Sequence, residues 1–178
     1  ISYKKPKLVV MLVVDHMRPD MLTRFDQLFT GGFRWLLDNG VVFTNSFHEH
    51  GYTATGPGHF AIATGRHPGP AGVLGNAFYD RNIHKKVNCV QDDNARPLGG
   101  DGNARSYARY SDKTIGDWLK FNNSNSKVYS IAGKDRSAVL LGGINPDLAI
   151  YYNYENRFIT SDYYRQDAPD WLNEFNNN

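Results

Sequence analysis

The hydrophobic pattern opens with an apolar run, KLVVMLVVD over residues 7–15, which ends in the acid Asp15. A continuous apolar run of strand length is typical of a buried strand in a parallel sheet. The stretch VVFTNSFHE, residues 41–49, alternates in part and predicts a second strand. KVYSIAG, residues 127–133, predicts a third buried strand. The apolar pattern therefore places three strands along the chain.

Helical spacing fills the intervals between these strands. The first helical region is predicted to be a helical hairpin that is interrupted at Gly31-Gly32 and closes at Asn39-Gly40. Its apolar residues are Met21, Leu22, Phe25, Leu28, Phe29, Phe33, Leu36 and Leu37. Further helices are predicted over residues 115–121 with Ser111 as the cap, over residues 135–143, and over residues 171–175. Residues 66–80 predict a loop that leads into a short strand, and residues 82–91 predict one arm of a hairpin. Strands that alternate with helices predict an α/β sheet with helices on its faces.

The stretch TATGPGHFAIATG, residues 53–65, predicts a short helix over residues 60–64 with a turn before it. Pro57 suits the first turn of a helix, and Gly65 suits the position just after its end. Thr55 then lies at the N-terminal edge, where unpaired N–H groups and the positive end of the helix dipole favour an anion. A hydroxyl there could attack that anion. The alternative interpretation is an ordinary capping threonine.

Polar residues follow each predicted strand where ligands gather in open α/β sheets, beyond the carboxyl ends. Asp15 follows the first strand, Thr55 the second, and Lys134 and Arg136 the third. We expect an acid, a hydroxyl and two cations to meet at one sheet edge. Taken singly, Asp15 could cap a helix, and the two cations could belong to a solvated loop.

Composition narrows the class of protein. The chain has 178 residues and a formal net charge of +2, which suits one globular domain and lacks the basic stripe of a nucleic-acid-binding protein. No apolar run is long enough to span a membrane. A single cysteine, Cys89, excludes an intrachain disulfide. Because the chain starts at Ile1 and stops after NEFNNN, we expect a piece of a longer protein.

Four motifs, in this order, resemble the alkaline phosphatase superfamily, and within it the threonine-nucleophile phosphate monoesterases and the related type I phosphodiesterases. They are VVDHMRPDML, TGPGH, GVLGNAFYD and GKDRSAVLLGG. The resemblance implies that Asp15 and Thr55 are metal ligands and that Thr55 is the nucleophile. It also implies that Asn76, Lys134 and Arg136 are catalytic residues that bind the phosphoryl group. From the residues alone, Asn76 could equally be a turn residue beside Gly75.

The resemblance further implies the N-terminal portion of a doubly wound, mostly parallel sheet with helices on both faces, so that residues 1–178 form part of a single catalytic domain. The family uses two Zn²⁺ ions, and this chain supplies part of one site. We therefore expect a zinc-dependent phosphate monoester hydrolase that acts through a phospho-threonine, and an inactive fragment. The expected partner is a small phosphate ester rather than a nucleic acid, and the expected location is periplasmic or secreted.

Two other functions remain open. A phosphodiesterase or nucleotide pyrophosphatase of the same superfamily shares the threonine nucleophile, and a non-catalytic domain would result if the remaining metal ligands are missing. A sulfatase would need a Cys or Ser in a C/S-x-P-x-R motif, whereas Cys89 lies in VNCVQ. We interpret His59 as structural, and the resemblance assigns no role to His48 and His50.

Overall fold

A computed structural model describes residues 5–178 and divides the chain into two compact units, Ile1–Phe47 and His48–Asn178. The first unit contains two short helices, α1 (Asp20–Arg24) and α2 (Gly32–Asn39), with a 3₁₀ turn between them. Arg34 of α2 bridges two carboxylates, Asp26 at 2.7 Å and Asp38 at 2.8 Å. The helical hairpin predicted for the first apolar region is thus confirmed as α1 and α2, and α2 ends at Asn39.

The two strands predicted in the first unit, residues 7–15 and 41–49, are not strands in the structure. Thr44 and Asn45 lie in a turn, no described strand pairs with either segment, and no described residue of this unit is buried. Leu8, Val10 and Phe43 are 78%, 75% and 78% exposed. The apolar pattern failed here because a strand needs a neighbour that takes its backbone hydrogen bonds.

The second unit contains the other ten elements of the described chain. They are α3 (Thr55–Thr64), β1 (Ala77–Asp80), β2 (Lys85–Asn88), β3 (Pro97–Leu98), α4 (Ile115–Asn122), β4 (Tyr129–Ala132), α5 (Asp135–Gly142), β5 (Leu148–Tyr152), β6 (Phe158–Ser161) and α6 (Asp170–Asn177). The predicted hairpin is confirmed as β1 and β2, which pair antiparallel with Ala77 opposite Asn88. The α/β class is confirmed.

The main sheet of this unit has the strand order β3-β6-β5-β4. Strands β4 and β5 are parallel, whereas β6 runs antiparallel to both of its neighbours. The third predicted strand is thus confirmed as β4, but its burial is not. Tyr129 and Ile131 are each 64% exposed, because β4 ends the strand order and only the face that carries Ser130 packs inward.

The core of the second unit joins helices α3 and α5 to the sheet. Phe60 of α3, Leu140 of α5, Ile159 of β6 and Tyr107 are at most 1% exposed. Packing α3 against α5 also brings the beginnings of both helices to the same part of the unit.

The predicted cap of α4, Ser111, is wrong. Thr114 caps this helix in a capping box with Asp117, whose side chain accepts the Thr114 N–H at 2.9 Å. Asp117 also accepts the N–H groups of Ile144 and Asn145, at 3.1 and 3.0 Å, and so ties α4 to the end of α5. None of the helices in residues 5–178 is long and apolar enough to span a membrane.

Candidate active site

Helix α3 begins at Thr55 itself, five residues earlier than the sequence predicted. Ala54 is the N-cap and makes no side-chain cap bond, so the interpretation of Thr55 as the capping residue is wrong. Pro57 lies in the first turn, and Gly65 ends the helix with φ of 68°, both as predicted. The Thr55 side chain is therefore carried by the first helical residue, where the helix dipole is positive. Thr55 is half-buried.

Asn76 reaches the start of α3. Its Oδ1 accepts the Gly56 N–H at 2.7 Å, which satisfies one of the N–H groups that a helix leaves unpaired. Gly56 is tightly surrounded, since a Cβ there would lie 3.1 Å from Cys89 Sγ and 3.2 Å from the Gly75 carbonyl oxygen, so a larger residue would require these neighbours to shift. With Oδ1 used as an acceptor, the Nδ2 group of Asn76 is the amide group that can donate to an anion.

His59 lies one turn further along α3 and is 4% exposed. Its Nδ1 is 2.8 Å from the carbonyl oxygen of Thr55. A carbonyl only accepts, so Nδ1 carries the proton in this contact. His59 therefore donates a hydrogen bond to the backbone of Thr55 within α3. This contact agrees with the interpretation of His59 as a structural residue.

Helix α5 begins with the two cations predicted for the site. Lys134 is its N-cap and Arg136 its second residue, with Asp135 between them. Lys134 is exposed, whereas the Arg136 side chain is 21% exposed. Its Nε is buried and has no hydrogen-bond partner among the described residues. An unpaired buried N–H costs about 1–3 kcal/mol, and an anion at this position would relieve that cost.

The end of strand β2 connects the two helix beginnings. Cys89 donates its N–H to the Asn76 carbonyl at 3.1 Å, and its thiol lies beside Gly56. Asn88 donates from Nδ2 to Asp135 at 3.0 Å. Burial raises the pKa of the Cys89 thiol to about 12, although the Arg136 charge opposes the shift. This thiol is therefore a packing group, not a nucleophile.

Two further residues of this cluster were missed by the sequence analysis. Arg105 donates from Nε to Asp135 at 2.9 Å, and both side chains are largely buried, at 15% and 17% exposed. Asn88 contacts the same carboxylate oxygen. Arg105 follows a glycine-rich stretch, residues 99–102, and nothing in the local sequence indicates its distant partner.

Asp15 belongs to the first unit. It lies exposed in the turn that follows the apolar run, and His16 beside it has φ of 64°. No group of three or more His, Cys, Asp or Glu side chains within residues 5–178 could hold a metal ion. The role of Asp15 as a metal ligand thus stays a prediction.

Two histidines near the start of the second unit form a separate pair. The rings of His48 and His50 stack edge to face with centroids 5.2 Å apart, and His50 Nε2 is buried without a hydrogen-bond partner among the described residues. Burial lowers the pKa of His50, and the positive forms of His48 and His67 lower it further.

The second unit is thus an α/β unit in which Thr55 stands at the beginning of α3 and Lys134 and Arg136 stand at the beginning of α5. The chain belongs to the type I phosphodiesterase / nucleotide pyrophosphatase family, whose model matches residues 9–177. The resemblance derived from the four motifs is confirmed.

The chain is similar to curated proteins named alkaline phosphatases. It is 38% identical to alkaline phosphatase PafA of Elizabethkingia meningoseptica and 37% identical to alkaline phosphatase PhoV of Synechococcus elongatus, over 97% of this chain in each case. A protein named calcium-transporting ATPase from Myroides odoratus is 39% identical, again over 97% of the chain. The chain spans about a third of the length of these relatives, namely 33%, 32% and 32%.

The fold matches a solved structure closely. Wild-type alkaline phosphatase PafA superposes with a TM-score of 0.93 at 37% identity, covering 99% of this chain and 35% of that one. A PafA variant with substitutions at a threonine, an asparagine, a lysine and an arginine gives the same TM-score at 35% identity.

Proposed function

We propose that the whole protein is a zinc-dependent phosphate monoester hydrolase in which Thr55 is the nucleophile. The observation that carries this proposal is the start of α3, where Thr55 is the first helical residue and the next N–H, that of Gly56, is held by Asn76 at 2.7 Å. A hydroxyl in this place meets an anion that the helix dipole attracts. Family membership supports hydrolysis of a phosphoric ester.

The substituted PafA variant supports the same residues. The four residue types changed in it are those that this chain carries at Thr55, Asn76, Lys134 and Arg136. The threonine and asparagine are separated by the same number of residues in both proteins, and one residue separates the lysine from the arginine in both. We infer that these positions correspond.

The charges of the second unit suit a phosphoryl group. The transition state of phosphoryl transfer spreads negative charge over the non-bridging oxygens, so it needs positioned donors and cations. Arg136 can offer paired N–H groups, including the buried Nε that no residue of the described chain accepts from, and Lys134 acts as a point charge. Asn76 adds a neutral donor through Nδ2. Thr55 Oγ then attacks phosphorus, the ester oxygen leaves with its electron pair, and water later hydrolyses the phospho-threonine.

The donor set of this chain fits part of a zinc site. Asp15 and Thr55 offer a carboxylate and a hydroxyl oxygen, and zinc accepts oxygen ligands beside histidine. Catalytic zinc uses about three protein ligands, so Asp15 and Thr55, which the family resemblance assigns as zinc ligands, need further ligands from the whole protein. Bound zinc would lower the pKa of an oxygen ligand and stabilise negative charge. We expect the 178-residue chain on its own to lack phosphatase activity.

The test is to locate the phosphoryl group in the whole protein. We expect quenching with acid during turnover of an aryl phosphate to leave the label on the peptide that contains Thr55. Thr55→Ala should abolish labelling, and Thr55→Ser should retain some because the hydroxyl survives. The neighbouring Thr53→Ala is the matched control and should label normally. A label on Thr53 or Thr64 instead of Thr55 would refute the assignment.

A second candidate, a phosphodiesterase or nucleotide pyrophosphatase, is favoured by the description of the family itself. The two functions differ in how much they need the cation pair. One of the three oxygens that are free in a phosphate monoester is esterified in a diester, so the diester carries less negative charge. Replacing Lys134 and Arg136 together by Ala should lower monoester turnover far more than diester turnover. Equal losses would favour the diesterase.

A further inference from the structure

Asp135 stands between the two cations of the proposed site and uses both of its carboxylate oxygens. Oδ2 accepts from Arg105 Nε at 2.9 Å and from Asn88 Nδ2 at 3.0 Å. Oδ1 accepts the Arg136 N–H at 2.8 Å and lies 3.2 Å from Arg136 Nη1. One oxygen is thus anchored to the body of the unit, and the other faces the arginine.

This arrangement restricts the guanidinium of Arg136. A flexible arginine has to lose side-chain freedom before it can bind with paired N–H groups, and a contact made before the ligand arrives lowers that cost. Asp135 lies against Nη1 of Arg136, so the buried Nε, which has no hydrogen-bond partner within residues 5–178, remains on a different part of the same guanidinium. The carboxylate therefore favours one orientation of the cation and leaves a donor for an anion.

The anchor of Asp135 also leads to the other half of the site. Asn88 is paired with Ala77 in the β1–β2 hairpin, and Asn76 precedes Ala77. Asn76 in turn holds the Gly56 N–H at the start of α3. A continuous chain of contacts therefore connects the carboxylate with the turn that carries Thr55.

We propose that Asp135, anchored by Arg105 and Asn88, is a positioning residue. It orients the guanidinium of Arg136 for binding the phosphoryl group that Thr55 and Asn76 also contact. The proposal rests on the phosphoryl-binding role of Arg136 proposed above. It assigns Asp135 no contact with substrate. Its effect on turnover passes through the orientation of Arg136.

The experiment is a double-mutant cycle in the whole protein. Asp135→Asn keeps the shape of the side chain but replaces one carboxylate oxygen by an NH₂ group. That group then faces donors, either those of Arg105 and Asn88 or those of Arg136. We expect kcat/KM for an aryl phosphate monoester to fall about 10- to 100-fold, the size of effect that follows from a displaced catalytic group. Diester turnover should fall less, as with Arg136→Ala. In the Arg136→Ala background, Asp135→Asn should cause little further loss.

Asp147→Asn is the matched control. The Asp147 side chain is also 17% exposed and also accepts from two cations and one backbone N–H, namely Lys120, Lys127 and Val128. We expect it to lower the thermal midpoint of unfolding by a similar amount without changing the preference for monoesters. If Asp135→Asn does not fold, Arg105→Gln removes one anchor and should give a smaller loss of the same kind.

The outcomes separate the two proposals. Full monoester activity in Arg136→Ala would overturn the proposed function of that residue. A large loss in Arg136→Ala, combined with an additive loss in the double variant, would overturn the positioning role of Asp135. So would an Asp135→Asn protein that behaves like Asp147→Asn in activity and selectivity.

Discussion

The two compact units contain similar apolar residues but differ in how far these residues are buried. The second unit buries Phe60 and Leu140 completely, whereas the first leaves Leu8 and Phe43 78% exposed. Four of the five candidate site residues belong to the second unit, and Asp15 belongs to the first. The difference shows that an apolar run identifies side chains that could be buried. Whether they are buried depends on a second apolar surface that packs against them.

The largest expected effect tests this difference with one residue type. Phe60→Ala in the 178-residue chain should lower the free energy of unfolding by about 3–5 kcal/mol, because the ring is fully buried beside Tyr110 and its removal leaves a cavity. Phe43→Ala should change it by less than about 0.5 kcal/mol, because that ring is already in water. Urea unfolding measures both values.

A similar loss for both phenylalanines would contradict the comparison, since it would mean that the first unit is packed in solution. The m-value provides a control. It should stay the same in Phe43→Ala if the substitution leaves the denatured state unchanged.

A smaller effect concerns glycines. Gly143 has φ of 86°, and a Cβ there would run into Asp117 Oδ2 and Thr114 Oγ1, which the capping box holds in place. Gly143→Ala should therefore cost about 3 kcal/mol, from the strained backbone and the displaced carboxylate. Gly32 in the first unit has open space around its Cβ position and lies in α2. Gly32→Ala should cause no loss of stability, as thermal unfolding can show.

If Gly143→Ala unfolds at the same temperature as the wild type, the capping box adjusts to the added methyl group. The claim that Asp117 fixes α4 rigidly to the end of α5 would then be wrong. A marked loss in Gly32→Ala would show instead that the first unit packs closely at that position.

Local signals account for the parts of the fold that the sequence predicted. Gly65 ends α3 as expected because a glycine accepts the left-handed conformation at no steric cost. The hairpin and the helix after Lys134 likewise follow from nearby residues. The cap of α4 was misplaced because Asp replaces the usual Glu or Gln at the third helical position, so the capping box of Thr114 was overlooked.

Long-range contacts account for what the sequence did not predict. Arg105 reaches Asp135 across 30 residues, and this partnership depends on the tertiary packing that places α5 against α3, β4 and β5. Residues 7–15 have the pattern of a strand, but no described strand pairs with them. The positions of Thr55 and Arg136 at helix beginnings followed from local pattern and motif, whereas the carboxylate between the cations acquired its proposed role from tertiary structure.

The smallest expected effect concerns the buried thiol of the second unit. Burial raises the pKa of Cys89 from 9.0 to about 12. Above pH 9 the unfolded chain ionises this thiol and the folded chain does not, so unfolding releases a proton and stability falls as the pH rises. At about pH 10 this difference costs the wild type about 1.4 kcal/mol. In Cys89→Ala the free energy of unfolding should not show this part of the decrease between pH 8 and pH 10.

The measurement is the free energy of unfolding of both proteins at pH 8 and pH 10. The buried Tyr107, whose pKa burial also raises, is present in both proteins and cancels in the difference. Burial is the main cause of the raised pKa of Tyr110 as well, but Cys89 raises it further, so the measured difference includes that smaller contribution. Ser46→Cys in the Cys89→Ala background places the thiol in the first unit, where residue 46 is exposed. That thiol should react with iodoacetamide in the folded chain and add no pH dependence. A difference between wild type and Cys89→Ala that is the same at both pH values would show that Cys89 is accessible to water.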